Sequence, residues 1–374
     1  MKEKFSLKDA LYNPIKVQKI ATEIKAVYPD FKQEAFDKDV LDPFPDLELK
    51  ERMYHIRDML TKYLPQDYRE AMNILLEALP KALDNTKSDD DLGDFIYAPY
   101  GEFVTLHGCR LEHLDFSLVA LREISKRFSV EFAIRDFINA FPEETLAVLE
   151  ACSLSDNYHE RRLASEGLRP KLPWAKKLTI NYSEPLIHLE NLFDDNTRYV
   201  TRSVANHLND IAKEDASLVI ETLKRWKASG KQDSKEMDFI VNHALRTLVK
   251  QGNEGALALL GYMQNPDIKV SGFMIHKEEV SVGEALLFDF KVKAKEDTKL
   301  MIDYIIHFRT KSGTFSPKVH KLKKVSLKKG ESLALQKKHP FKANMSTRRL
   351  YEGEHKIELQ INGTCYTCAT FILH

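Results

Sequence analysis

The chain contains little cysteine and lacks long apolar runs. Four of its 374 residues are cysteine, too few for a disulfide-stapled secreted domain, which favours a reducing compartment. No run of about 18 apolar residues occurs, so a membrane-spanning helix is not expected. Residues 1–14 also lack the apolar segment of a secretory signal. We therefore expect a cytoplasmic protein.

Motifs that hold common cofactors are also missing. The sequence has no glycine-rich phosphate loop, no G-x-G-x-x-G and no G-x-S-x-G, so the usual signatures of nucleotide enzymes and serine hydrolases are excluded. Cys365 and Cys368 form the only cysteine pair with metal or redox spacing, and no second ligand pair lies near it in the sequence. The pair is expected to be structural, and neither a metal nor a cofactor is predicted.

Charge is balanced overall but divided along the chain. Lysine plus arginine and aspartate plus glutamate each number 56. Residues 267–374 hold 20 basic and 12 acidic side chains, a surplus of eight positive charges, and residues 1–266 hold the matching negative excess. Local potential therefore matters more than the sum, which argues only against a uniformly basic nucleic-acid coat.

Residues 1–266 have the pattern of helices joined by short polar turns. Apolar residues recur at spacings of three and four. The clearest segments are 47–60, 68–83, 111–128 and 218–226. Pro142 followed by two glutamates predicts a helix start. The alternating Val, Ile and Thr that are typical of strands are nearly absent.

A short repeat runs through this helical part. The pattern Arg-x-x-x-Glu/Asn occurs at 127–131, 162–166 and 202–206, with offsets of 35 and 40 residues. That period fits two-helix HEAT-like units whose inner helices line a groove. Residues four apart share one helix face, so the arginines and acids would recur along the groove. The alternative is a ladder of Arg–Glu pairs on a solvated face.

After residue 266 the pattern changes to strands. Apolar and polar residues alternate in segments separated by glycine-containing turns. These segments are 268–275, 285–294, 300–309, 319–327, 332–338, 354–361 and 365–373. Asn362-Gly363 is a strong signal for a two-residue hairpin turn. About seven short strands are typical of an immunoglobulin-like sandwich.

The two patterns predict a mainly α protein. A HEAT-like helical-repeat superhelix would occupy residues 1–264, and a C-terminal all-β immunoglobulin-like sandwich would occupy residues 267–374. Helical repeats most often serve as binding surfaces, so a non-catalytic scaffold that binds a protein partner is one hypothesis. The other is an enzyme acting on a polyanion, because residues 157–174 combine arginines, an acid and a tryptophan with few packing residues.

Four blocks of the helical part resemble the bacterial AlkC-type DNA alkylation repair glycosylases. They are residues 130–135, 159–174, 202–212 and 243–252, in the same order as in the family. One branch of that family has an immunoglobulin-like domain after its helical repeats, which agrees with the strand pattern. Most members have arginine where this chain has Lys171. A compact ammonium group therefore replaces a guanidinium group that could bind a phosphate through two hydrogen bonds.

The resemblance implies a monofunctional glycosylase. Such an enzyme removes cationic N-alkylated bases, such as N3-methyladenine and N3-methylcytosine, from duplex DNA without fully flipping the nucleotide into a pocket. We expect a monomer in the bacterial cytosol, on the chromosome, with no membrane contact and no obligatory protein partner. The residue types suit this chemistry, because a cationic base leaves readily and a fixed carboxylate stabilises the oxocarbenium-like sugar left behind.

The resemblance also implies site residues, position by position. The candidate catalytic carboxylates are Glu131, Glu166 and Asp210, and the sequence does not rank them. Trp174 is expected to contact the lesion nucleotide. The candidates for DNA binding are Arg127, Arg162, Arg169, Lys171, Arg202, Asn206 and Arg246.

Each of these assignments has a structural alternative. Glu131 would otherwise only stabilise a helix dipole, and Trp174 would only pack in its loop. Glu166 and Asp210 would otherwise only form ion pairs with basic residues three or four positions away. Residues 318–338, which are rich in lysine, are either a second DNA contact or a solvated sheet edge.

Overall fold

The computed structural model describes residues 6–86, 92–343, 345 and 348–374. They form two compact units, one of Met1–Glu214 with Trp226–Ala244 and the other of Asp215–Arg225 with Leu245–His374. Each unit contains a hydrophobic core of its own. The division at residues 264–267 marks the change from helices to strands, and as a domain limit it stays a prediction.

The described part of the chain up to residue 259 is mainly helical. In chain order the α-helices are α1 (Leu7–Leu11), α2 (Pro14–Val27), α3 (Gln33–Leu41), α4 (Leu49–Tyr63), α5 (Tyr68–Ala78), α6 (Ala98–Gly108), α7 (Leu114–Ser125), α8 (Ile134–Ala140), α9 (Pro142–Ser153), α10 (Tyr158–Glu166), α11 (Leu186–Glu190), α12 (Arg198–Ile211), α13 (Ala216–Ser229), α14 (Ser234–Ala244), α15 (Arg246–Lys250) and α16 (Glu254–Leu259). Short 3-10 turns lie at Phe44–Asp46, Phe95–Tyr97 and Leu111–His113.

Local sequence explains several helix ends. α9 begins at Pro142, as predicted, because the fixed φ of proline suits a first helical turn. The Asn157 side chain caps α10 by accepting a hydrogen bond from the His159 amide at 2.9 Å. α5 ends at Ala78, earlier than the apolar pattern predicts, because Pro80 disfavours helical backbone in the residue before it.

The prediction that 127–131 lies along a helix is wrong. α7 ends at Ser125, and Phe128 forms an isolated antiparallel bridge with Gly93. The approach is close, since a Cβ atom at Gly93 would lie 1.8 Å from the Arg127 carbonyl oxygen. This contact with a distant part of the chain draws the backbone out of the helix. The other two repeats, in α10 and α12, are helical, and these helices pack against each other.

The strands form two sheets within the second unit. They are β1 (Ile268–Ile275), β2 (Glu279–Val280), β3 (Ala285–Ala294), β4 (Thr298–Arg309), β5 (Phe315–Leu327), β6 (Ser332–Pro340), β7 (Gly353–Ile361) and β8 (Thr364–Leu373). One sheet has the order β1-β3-β6 and the other β2-β8-β7-β4-β5. All pairs are antiparallel except β2 with β8. Each predicted strand corresponds to one of these, and β2 was not predicted.

The hairpin signal and the fold class are both confirmed. Asn362 and Gly363 join β7 to β8 with φ of 46° and 79°, as a two-residue turn of this type requires. Apolar side chains of both sheets form one buried core. The protein is mainly α, with HEAT-like helical repeats followed by an all-β immunoglobulin-like sandwich.

Two further observations concern membrane-spanning helices and the cysteines. Among the described residues, no helix is long and apolar enough to cross a membrane. All four cysteines are free thiols, and Cys365 and Cys368 are exposed on β8.

Candidate active site

α10 is a buried helix with many polar side chains. Arg162, Ser165 and Glu166 are all buried, although charged groups rarely leave water. The helix packs against α9 and α12. A buried charge is tolerated where opposite charges and hydrogen bonds compensate it. The partners of this helix therefore define the site.

Arg162 joins α10 to the turn before α8. Its Nη1 atom donates to Glu131 Oε2 and to Ser129 Oγ, both at 2.8 Å. Ser129 Oγ in turn donates to Glu131 Oε2 at 2.7 Å. The guanidinium carbon lies 4.6 Å from the ring centroid of Tyr199, a cation–π contact. Two donors thus fix the orientation of the Glu131 carboxylate.

Glu166 is held through both of its oxygens. Arg169 Nη1 donates to Oε1 at 2.6 Å, and Ser203 Oγ of α12 donates to Oε2 at 2.6 Å. Arg162 Nη2 lies 3.8 Å from Oε1. The carboxylate therefore has little freedom to rotate, and its negative charge is fixed relative to both helices.

Asp210 lies at the far end of the same network. Arg169 reaches its Oδ2 atom with Nε at 3.0 Å and Nη2 at 2.9 Å, and Lys213 Nζ lies 2.9 Å from Oδ1. Arg169 therefore bridges Glu166 and Asp210. We call this network of three acids and three bases the carboxylate chain; its members are Glu131, Arg162, Glu166, Arg169, Asp210 and Lys213.

Neighbouring charges hold Glu166 and Arg162 in their charged forms. Burial raises the pKa of the Glu166 carboxyl, but the charges of Arg162 and Arg169 and the hydrogen bond from Ser203 lower it more, so that this pKa lies below its ordinary 4.5. For Arg162, burial lowers the pKa, and the charges of Glu131 and Glu166 raise it to well above the ordinary value. The charges are thus set at neutral pH before any ligand arrives.

Two of the three acids face one cavity. It has a volume of about 710 Å³, and its lining includes Glu131, Glu166, Arg169 and Trp174. Much of the remaining wall is apolar, with Leu49, Met53, Phe95, Phe128, Phe132 and Leu172. Fixed carboxylates beside an apolar wall stabilise a developing cation more strongly than they would in water. Asp210 is not among the described residues that line the cavity.

Trp174 presents its ring to solvent at this cavity. Its exposed fraction is 72%, so packing in its own loop does not explain the residue. Its φ of 64° lies in the left-handed region, which is rare for a residue with a side chain. Among the described residues, the other non-glycine case is Asn362 in the hairpin turn. Backbone strain of this kind concentrates at functional sites.

Two residues predicted to bind DNA are engaged in other contacts. Arg127 Nε donates to the Pro80 carbonyl at 2.8 Å, and its Nη1 pairs with Glu123. Lys171, which is exposed, pairs with Glu214. The structure therefore does not bring Arg127 to the carboxylate chain.

The remaining candidates lie in three places. Arg162 and Arg169 are buried inside the carboxylate chain, and their guanidinium groups already bind its acids. Arg202 and Asn206 are half-buried on α12, and Asn206 Oδ1 is hydrogen-bonded to His243 Nε2 at 2.8 Å. Arg246 begins α15 in the second unit.

Sequence reasoning did not single out several residues of this site. Ser129 and Ser203 orient Glu131 and Glu166. Ser129 lies two residues before Glu131, which was the available signal, whereas no acid lies beside Ser203 in the sequence. Lys50 also lines the cavity, from a helix far away in sequence, and no motif marks it.

Comparisons with known proteins found a related family, a related sequence and a related structure. Residues 269–374 match the family described as "Uncharacterised protein YhaZ, C-terminal Ig-like domain". Protein YhaZ of Bacillus subtilis (strain 168) is 34% identical over 357 residues, which cover 94% of this chain and 95% of that protein. The structure of Pseudomonas fluorescens alkylpurine DNA glycosylase AlkC, bound to DNA containing an abasic site analog, matches with a TM-score of 0.89 and 32% identity, covering 99% of this chain and 100% of that one.

The fold and the site define a helical-repeat protein with an immunoglobulin-like C-terminal domain and a buried array of carboxylates and arginines. The chain belongs to the AlkC-type family of DNA glycosylases, in the branch with that C-terminal domain. The resemblance seen in four sequence blocks thus extends over nearly the whole chain.

Proposed function

We propose that this protein is a monofunctional DNA glycosylase that hydrolyses the N-glycosidic bond of cationic N-alkylated bases in duplex DNA. The observation behind this proposal is that Glu131 and Glu166, fixed by arginine and serine donors, face one cavity. The relative named alkylpurine DNA glycosylase is bound to DNA, which supports DNA as the ligand. The proposed lesions are N3-methyladenine and N3-methylcytosine, and the protein would act on them in the chromosome, in the cytosol.

The chemistry follows from the charge of the lesion. An N3-alkylated base is positively charged and departs as a neutral molecule, so a strong general acid is unnecessary. The barrier lies in the oxocarbenium-like sugar, which the fixed carboxylates stabilise as its charge develops. A carboxylate also orients the water that attacks the C1′ atom. Undamaged bases are poor leaving groups, so the lesion supplies part of the selectivity.

The three acids receive different roles. The exposed fractions of the side chains fall from 18% for Glu131 to 7% for Glu166 and 2% for Asp210. Glu131, the most accessible, would orient the attacking water, and Glu166 would face the sugar. Asp210 would act through Arg169, which it holds with two hydrogen-bonding contacts.

Trp174 would contact the lesion nucleotide without a fully flipped base. Its ring stands out from the protein at the cavity, where it can meet a nucleotide that has moved part of the way out of the duplex. A cationic base against an aromatic face gains roughly 0.5–2 kcal/mol. This contact would add recognition of positive charge to the selectivity of the leaving group.

The second unit offers surfaces for a polyanion. Lysines are exposed on β5, β6 and the turn between them; we call this set the lysine face, and it comprises Lys321, Lys323, Lys324, Lys328, Lys329 and Lys338. A cavity of about 680 Å³ in the same unit is lined by Arg309, Lys311, Arg348 and Arg349, with no acid among its described lining residues. Both features favour contact with DNA phosphates.

The test is release of a free base. Methylated duplex DNA incubated with the protein should yield free N3-methyladenine or N3-methylcytosine, with abasic strands that stay intact until alkali is added. Strand cleavage without alkali would contradict a monofunctional enzyme. Binding of DNA or of a protein partner with no release of either base would favour the non-catalytic scaffold instead.

A further inference from the structure

A loop without regular secondary structure follows α10 and contains both Arg169 and Trp174. It spans residues 167–179, which we call the tryptophan loop. No backbone ladder holds such a segment, so its conformation depends on side chains from elsewhere. Side chains of α8 and α4 bind its backbone carbonyls.

α8 fixes the two ends of the tryptophan loop. Arg135, which is fully buried, donates to the carbonyls of Gly167 at 2.9 Å, Arg169 at 2.8 Å and Lys176 at 2.7 Å. Asn139 Nδ2, one turn later, donates to the Lys177 carbonyl at 2.9 Å. The ends of the loop are thus tied to one helix, and Trp174 lies between them.

Lys50 of α4 holds the loop at the tryptophan itself. Its Nζ atom donates to the Trp174 carbonyl at 2.6 Å and lies 5.4 Å from the ring centroid of Phe132. The left-handed backbone at Trp174 costs free energy, so it persists only where surrounding contacts enforce it. Lys50 makes such a contact at the carbonyl of the strained residue.

We infer that Lys50 is a positioning residue, which locks the strained backbone at Trp174 and thereby presets the ring at the cavity that Glu131 and Glu166 face. A preset ring spares the cost of ordering it when the nucleotide binds. The consequence for catalysis depends on the proposed glycosylase function, whereas the effect on the ring does not. Lys50 acts through Trp174 and is not itself assigned to the chemistry.

The mobility of the ring can be measured without DNA. The chain has two tryptophans, and Trp226, unlike Trp174, is 1% exposed. In a Trp226→Phe background the fluorescence therefore reports on Trp174 alone. Adding Lys50→Met should lower the anisotropy of this emission and increase its quenching by acrylamide. Unchanged anisotropy and quenching would overturn the inference, whether or not the protein proves to be a glycosylase.

Kinetics separate positioning from direct DNA contact. In the native background, Lys50→Met should slow single-turnover base release by about 10- to 100-fold. Affinity for undamaged duplex and its dependence on salt should stay unchanged, and Lys50→Arg, which can still donate to the carbonyl, should recover most of the rate. A salt slope lowered by about one unit would instead show that Lys50 contacts a phosphate, and would overturn the positioning role.

Lys25 provides a matched control. Its Nζ atom also grips backbone, donating to the carbonyls of Pro29 at 2.6 Å and Phe31 at 2.9 Å after α2. Lys25→Met removes the same charge and the same kind of contact away from the cavity lining. It should alter neither the Trp174 emission nor the rate of release. An equal loss in both variants would assign the effect to net charge or general stability, against the inference.

Discussion

The two units of the molecule differ in the charge of their main clusters of buried polar side chains. The helical unit buries Arg162, Glu166 and Asp210, each with an opposite charge beside it. It also buries a neutral histidine, His207. The β-sandwich places neutral histidines beside the buried Tyr304, and it buries a carboxyl group, that of Asp303, whose pKa burial raises to about 6. Tyr304 Oη is hydrogen-bonded to His339 Nδ1 at 2.9 Å, and burial, the largest effect, lowers the pKa of His339 to about 4. At neutral pH that histidine is uncharged.

This difference in buried charge distinguishes the candidate active site from a purely structural core. Burying ions costs more free energy than burying neutral groups, and apolar residues of similar volume are often as stable as a buried ion pair. The histidine cluster of the sandwich has no charge at neutral pH, because burial lowers the pKa of His339 and His320 to about 4. The helical unit retains the more costly arrangement, and two of its buried or half-buried acids face a cavity. The comparison therefore favours the helical unit as the location of the proposed chemistry.

Removing the central cation should have the largest effect. Arg169→Met leaves Glu166 and Asp210 without their shared partner, and breaking a buried pair of this kind costs about 3–5 kcal/mol of unfolding free energy. Urea denaturation measures the change. Arg57→Met, which removes a pair with the exposed Asp58, is the control and should cost under about 1 kcal/mol. Equal losses would remove the contrast between the buried chain and surface pairs.

Neutralising an acid should separate catalysis from binding. Glu131→Gln or Glu166→Gln keeps the shape of the side chain and removes the charge that stabilises the sugar. Single-turnover release of a methylated base should fall by about 10²- to 10³-fold, with affinity for DNA close to that of the unchanged protein. Near-normal rates in both variants would end the catalytic assignment.

Acid should weaken the sandwich through its buried histidines at a higher pH than it weakens the carboxylate chain. An unfolded histidine takes up a proton near its ordinary 6.5, while His339 and His320 resist protonation until about pH 4. The unfolded state binds more protons between these values, so the unfolding free energy of the sandwich falls as the pH drops from 6.5 to 4, by about 1–3 kcal/mol. The helical unit also buries a neutral histidine, His207, whose pKa burial lowers to about 4, so this unit loses some stability in the same range. The pKa of Glu166 is lowered, so its contribution is lost only below pH 4.5.

Denaturation at a series of pH values, with unit-resolved NMR signals, would check this order. His339→Gln should flatten the loss of sandwich stability between pH 6.5 and 4 and leave the helical unit unaffected. If the variant keeps the full slope of the sandwich, the buried neutral His339 is not the cause.

The lysine face should give the smallest effect. Replacing Lys321, Lys323, Lys329 and Lys338 by glutamine should weaken DNA binding and lower the slope of log affinity against log salt by about 2–3 units, as released counterions are lost. Glutamine at the exposed Lys269, Lys277, Lys291 and Lys293 is the control. An unchanged slope in the first variant would mean that the lysines of β5 and β6 only protect these two edge strands from pairing.

Regular elements were predictable because their signals are local. The strands β1 and β3 begin and end where alternation predicts, and Pro142 marks the start of α9. The carboxylate chain was predictable in membership, because its acids and arginines lie in the blocks that resemble the family. Its pattern of hydrogen bonds was not predictable, because Arg169 bridges two acids that are 44 residues apart in sequence, at 166 and 210.

The failures concern contacts between distant segments. Arg127 and Glu131 fit the repeat pattern, but the chain there is bridged to Gly93 and leaves the helix. Lys50 reaches Trp174 across 124 positions. Periodicity describes which face of an element is apolar, and it contains no information about which remote backbone atom a side chain will meet.

Gly93 lies outside the carboxylate chain, yet a substitution there would disrupt the candidate active site. Its φ of 76° and the nearness of the Arg127 carbonyl leave no room for even a methyl group. Replacement by alanine would push away the turn that presents Glu131, so the variant would behave like an active-site mutant although no group that meets DNA has changed. Screens for inactive variants should therefore recover position 93 together with the acids themselves.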